Sequence, residues 1–133
     1  MLLLVEAAHD ENGKLSYGQP GDQTGDEVRL REVSDKESFT YYFRCPDKTA
    51  AKAMAKDAID VAGNNHVGYA QYGANNLSSR YGLYYAMKTF SGKADFSKLT
   101  IYCNVDCSAL ISDLLNNNGY KASVYMSTSS EVN

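Results

Sequence analysis

The sequence predicts an α+β fold, and three stretches carry that reading. DKTAAKAMAKDAIDVAGNN, residues 47–65, has the pattern of a capped amphipathic helix. EVRLREV, residues 27–33, alternates apolar and charged positions as a half-buried strand does. NVDCSALISDLLNNNGY, residues 104–120, starts a second helix just after an aspartate. The 133 residues suffice for one domain with a real core and are too few for two, so residues 1–133 are expected to form a single domain.

Taken in order, residues 1–9 place Leu3, Leu4 and Ala7 at helical spacing, which predicts an N-terminal helix. DENGKLSYGQPGDQTGDE is rich in Gly, Asp and Asn and reads as loop. The EVRLREV strand is expected to pair with FTYYFRC, residues 39–45, as a β-hairpin across the polar SDKES turn. In the helix that follows, Asp47 is the cap, Ala51, Met54, Ala55, Ala58 and Ala62 form the apolar stripe, and Gly63 is the stop. HVGYAQYGANN reads as loop and SSRYGLYYAMKTF as a helix weakened by Gly82. FSGKADFSKLTIYCNV connects to the last helix, about Cys107 to Asn117, which Gly119 ends. KASVYMSTSS reads as a strand or an extended tail.

Composition narrows the function. A net charge of −3 with interspersed signs lacks the basic face of a nucleic-acid binder. The opening MLLLVEAAHDE has no basic stretch before its apolar run and acidic residues directly after it. It is neither a signal peptide nor a membrane span, so synthesis in the cytoplasm without a signal peptide is expected. Three cysteines, an odd count, favour thiols over a disulfide framework. The separation of Cys103 and Cys107 is not a zinc-knuckle spacing, so no metal site is expected. Eleven tyrosines without a tryptophan suit half-buried positions and polar grooves alike.

Cys107 carries two readings. With Leu110, Ile111, Leu114 and Leu115 it falls on one apolar face, as a buried structural thiol would. It also lies in the first helical turn, where exposed N–H groups and the helix dipole favour an anion and thiol pKa values can drop from about 8.5 toward roughly 3.5–7.5. A nucleophilic cysteine needs a base, and the chain has only His9 and His66 to offer. His66 stands in a Gly-rich loop that can approach a pocket. The loop GQPGDQTGDEV has no Lys and no phosphate-loop spacing. It reads either as a turn in which Asp22 and Thr24 bond the backbone, or as a loop lining a site through Asp22 and Gln23.

Three strings in order, GDQTGDEV, a helix ending in HVGYAQ, and VDCSALI, resemble phage and prophage lysins of the NlpC-type cysteine peptidase superfamily. The resemblance runs from about Val5 to Asn133. It implies a papain-like core, with the nucleophile at the N-terminus of a helix packed on a small antiparallel sheet. It implies that Cys107 is the nucleophile, that Asp106 and Ser108 shape the helix start beside the substrate, and that Tyr69 lines the cleft. The implied activity is cleavage of an amide bond in the peptidoglycan peptide at the bacterial cell wall, without a cofactor. In that family the catalytic His follows the cysteine, and no His follows Cys107 here. Three expectations remain open: the C-terminal strands lie on a missing segment or second chain, His66 is the base, or the domain is an inactive cell-wall or protein-binding module.

Overall fold

Alternation, not helical spacing, governs the first residues. In the computed structural model, which describes residues 1–15, 18–39, 44–71 and 82–123, Leu3–Ala7 is a strand, β1. It pairs antiparallel with β2, Val28–Glu32. Ala7 lies opposite Val28 and Val5 opposite Leu30 on one face, and Glu6 lies opposite Arg29 on the other. The Glu6 carboxylate takes Arg29 at 2.8 Å and Arg31 at 2.7 Å. The helix expected over residues 1–9 is therefore corrected to a strand. Leu3, Val5 and Ala7 fit a period of two as well as Leu3, Leu4 and Ala7 fit a helix, and the cross-strand pairs decide between them.

β2 thus pairs with β1, and the expected hairpin with FTYYFRC falls largely outside the described residues. Residues 40–43 of that segment lie outside the described residues, and Phe39, Arg44 and Cys45 at its ends are in no strand.

The helix α1, Lys48–Ala62, matches its expected span. Asp47 Oδ1 accepts from the N–H groups of Thr49 at 2.8 Å and Ala50 at 3.1 Å, and the Gly63 N–H closes the far end on Ile59. Its inner face consists of Met54, Ala58, Val61 and Ala62, while Ala55 is exposed. The stripe is rotated slightly from the expected one, because Val61 rather than Ala55 meets the core.

Residues read as loop after α1 contain a strand, β3, Val67–Tyr69. It runs parallel to β4, Cys103–Val105, with Val67 opposite Cys103 and Tyr69 opposite Val105. Three fully buried residues offer no alternation to read, which is why the sequence hid them. Gly68 is required here: a Cβ would sit 2.1 Å from the Gly21 carbonyl oxygen, since the loop before β2 lies directly on this strand. The helix α2 spans Leu83–Met87 and stops short of the expected Phe90, with Gly82 as its cap and bridged to Asn104; residues 78–81, the expected start of the helix, lie outside the described residues. The last helix, α3, Cys107–Asn117, rests against α1, α2 and β1 and leads into Gly119 at φ +85°. The fold is α+β, with a parallel pair that the sequence reading did not foresee.

The buried Asn104 carboxamide joins the loop to the ladder. Its Nδ2 donates to the Gly18 carbonyl at 3.2 Å, and its Oδ1 accepts from the Gly21 N–H at 3.1 Å. Glu27, also buried, accepts from the Gln23 N–H at 2.8 Å and the Tyr69 N–H at 2.9 Å. Replacing Asn104 by Leu keeps much of the volume and strands the Gly18 carbonyl, while the Gly21 N–H retains the Cys103 carbonyl at 3.0 Å. An unmet buried group costs about 1–3 kcal/mol, so Asn104→Leu should lower the unfolding free energy by about 1–3 kcal/mol in urea denaturation.

Candidate active site

The chain turns from β4 into α3 through Asp106, Cys107 and Ser108. Asp106 is extended, with φ −102° and ψ 178°, and acts as the cap of α3. Its Oδ1 accepts from the Ala109 N–H at 2.7 Å and from the Ser108 hydroxyl at 2.9 Å. Both side chains are buried, at 8% exposure each. Cys107 stands between them and is exposed.

The expected core face of α3 therefore needs correction. Leu110 and Leu114 are buried, but Cys107 and Ile111 are exposed and Leu115 is half-buried. The cause is the extent of burial around the helix. Ser108, Ser112, Asp113 and Asn117 are all buried, so polar positions point inward and the narrow remaining stripe is Cys107, Ile111 and Leu115. These three recur at i, i+4 and i+8 along one line.

None of the three cysteines is in a disulfide. Cys103, four residues before Cys107, is fully buried, and burial with the neighbouring Asp113 pushes its thiol up to about 12. It is held as a thiol. The accessible sulfur at this junction is that of Cys107.

Asp113 was not singled out by sequence reasoning. It is fully buried, and among the described residues neither carboxyl oxygen has a hydrogen-bond partner. Burial first, and the Asp106 charge second, push its carboxyl up to about 8. Between Ile111 and Leu114 an aspartate reads as a solvent-facing position, so only the near-complete burial of α3 reveals it.

The other predicted residues are not all brought to Cys107. His66 sits at the start of β3, where its carbonyl accepts from the Cys103 N–H at 2.8 Å. Cys107 lies beyond the opposite end of that ladder, five residues after the Tyr102 that stands beside His66, and at about 3.3 Å per residue the separation is roughly 13–17 Å. Asp22 is also at the His66 end, its N–H bonded to the Asn65 carbonyl at 2.9 Å. Its carboxylate accepts from the N–H groups of Thr24 at 3.0 Å and Glu27 at 3.1 Å, and from that of Gly25. Gln23 Nε2 donates to the Pro20 and Gly21 carbonyls, each at 3.1 Å. Both side chains thus close the loop on itself. Tyr69 lies at the Cys107 end of the ladder, opposite Val105, but is 3% exposed and packs in the core. His9 contacts the Asp10 carbonyl at 2.9 Å and the Asp26 carboxylate at 3.7 Å. Among the described residues, no three His, Cys, Asp or Glu side chains converge as metal ligands, and no helix is long and apolar enough to cross a membrane.

Asp113 gives a pH prediction. Its carboxyl titrates near 3.8 when unfolded and near 8 when folded. Between these values the native state holds a proton that the unfolded chain has released, so stability falls as pH rises through this window. Glu27, raised by burial, adds to the same slope above 4.5, whereas Glu6, lowered by Arg31 and Arg29, acts only in acid and with the opposite sign. Asp113→Asn should flatten the decline of the urea midpoint between about pH 5 and about pH 8. An unchanged slope would show that the carboxyl is already ionised in the folded protein.

A family model for an endolysin-like domain matches residues 4–133, and no curated protein or solved structure matches the chain. The match takes in β1, both sheets and the α3 junction together. With nearly its whole length covered, the chain belongs to the endolysin-like domain family.

Proposed function

We propose that this chain is a cell-wall peptidoglycan hydrolase that cleaves an amide bond of the peptide stem through Cys107. The observation that carries the reading is an exposed thiol at the first position of a side-chain-capped helix, in a member of the endolysin-like family. Helix starts favour a developing anion, because the first N–H groups have no intrahelical acceptor.

In the proposed reaction the Cys107 thiolate attacks the amide carbonyl carbon, forming a C–S bond and a tetrahedral oxyanion. The Cys107 backbone N–H, at the helix start, stabilises that oxyanion. Collapse breaks the C–N bond, the amine leaves with a proton from the base, and water then hydrolyses the thioester. Asp106 and Ser108 keep the helix start rigid from inside, so the sulfur projects outward at a fixed angle.

The base is the less complete part. His66 at the far end of the ladder favours a base delivered by another segment or a second chain, over His66 itself. The apolar stripe of Cys107, Ile111 and Leu115 supports this, since a segment packed along it would lie beside the sulfur. A papain-like arrangement, with strands laid against the nucleophile's helix, fits that need. The second reading is a cell-wall or protein-binding module without catalysis, favoured by the distance between Cys107 and His66.

Turbidity of purified cell walls separates the two. Cys107→Ala should reduce the rate of clearing by about 10³-fold or more, to background. Undiminished clearing by the variant would exclude Cys107 as nucleophile, and no clearing by the intact native gene product would favour the binding module. Thiol alkylation in the folded protein should modify Cys107 and spare Cys103, read by mass spectrometry of the peptides. Modification of Cys103 at an equal rate would contradict the exposure on which the assignment rests.

A further inference from the structure

A hollow lies at the end of the β3–β4 ladder remote from Cys107, lined by Ile59, Asp60, Asn65, His66 and Ser97. Its His66 ring is held in one orientation and one tautomer. Asn64 Nδ2 donates to the carbonyls of Phe96 at 2.8 Å and Leu99 at 2.9 Å, which identifies Asn64 Oδ1 as the atom facing the histidine. That oxygen receives the His66 backbone N–H at 3.0 Å and ring Nδ1 at 2.9 Å. In the neutral ring, Nδ1 therefore carries the hydrogen and Nε2 is left as an acceptor.

Beside the histidine stands Tyr102, 59% exposed, with ring centroids 4.6 Å apart. Gly21, at φ +88°, also lies close to the tyrosine, where a Cβ would come within 2.5 Å of the ring carbon Cδ1. An exposed aromatic ring is thus held in place by a fixed imidazole and a backbone that admits no side chain. Charge is balanced as well, because Asp60 is ion-paired with Lys56. The hollow selects for neither a cation nor an anion.

We propose that this hollow, with the Tyr102 ring beside it, is a binding subsite for a neutral sugar ring of a glycan, separate from the Cys107 site. A pyranose presents an apolar face and a rim of hydroxyl groups. Tyr102 supplies a rigid flat surface for the face, at little conformational cost on binding. His66 Nε2, the Asp60 carboxylate and the Ser97 hydroxyl oxygen, whose hydrogen goes to Asp95, accept from the rim hydroxyls, and Asn65 both donates and accepts. Only the biological source of the glycan, the cell wall, rests on the hydrolase reading; the sugar chemistry stands on the hollow.

The probe is chitotetraose, a neutral oligomer of N-acetylglucosamine, titrated into the intact chain and followed by amide NMR. Saturable shifts are expected along residues 59–66 and 97–102. Tyr102→Ala should weaken binding about tenfold or more, and Tyr102→Phe should retain it. His66→Phe, which keeps a ring against Tyr102 but removes Nε2, should also weaken binding about tenfold. Cys107→Ala should bind as the wild type does. Amide spectra of each variant verify folding, and His66→Phe serves should Tyr102→Ala unfold. The proposal is overturned by absence of saturable binding to the wild type, or by undiminished binding in the folded variants. Sugar binding without wall clearing would remove the hydrolase reading alone, and wall clearing without sugar binding would remove this one alone.

Discussion

The Asn104 carboxamide, buried in the middle of β4, is the contact on which the rest depends. Two short parallel strands make few ladder bonds of their own, and a three-residue pair has no stability in isolation. Asn104 compensates by binding the loop that precedes β2 at both Gly18 and Gly21. That loop then adds the Glu27 carboxylate to the Tyr69 N–H and lays its backbone on Gly68. The ladder is thereby covered by that loop. Its two ends become distinct places: one turns into α3 at Cys107, and the other carries His66 and Tyr102.

The helix start shows how polar groups are used inside this core. Asp106 meets two donors and organises the first turn, a satisfied buried carboxylate. Asp113, on the same helix, meets none among the described residues and is kept neutral by its surroundings. Such an unpaired group costs stability that a well-packed apolar side chain would recover. Burial, with Asp113 beside it, also keeps Cys103 protonated, so the two cysteines that flank the junction differ in kind. Cys103 belongs to the core, and Cys107 to the surface.

Legibility from sequence followed locality. α1 and α3 were readable because Asp47, Asp106, Gly63 and Gly119 mark helix ends within a few residues of the helix itself. β2 was readable from its alternating charges, but its partner was not, since Glu6 and its arginines meet only across a long loop. β3 is too short and too buried to show a period. The inward face of α3 was misassigned because the helix is buried over most of its circumference, which inverts the usual contrast between apolar and polar positions. At the site, the Asp106–Cys107–Ser108 triplet was legible as a local motif. The separation of His66 from Cys107, the burial of Tyr69 and the role of Asp113 are tertiary facts with no local signature.

The loop joining β1 to β2 has a further effect, on how the molecule reaches this structure. Its hydrogen bonds to Asn104 span 83 and 86 positions of the chain. Contacts of such sequence separation are entropically expensive to close and form late, so high contact order predicts slow folding. β1 and β2 cannot mature as an independent hairpin, because the segment between them is committed to a distant ladder. The orientation of the helix that presents Cys107 is consequently among the last features to be set. A nascent chain would carry its thiol in an unformed site until residues near both ends of the sequence had met.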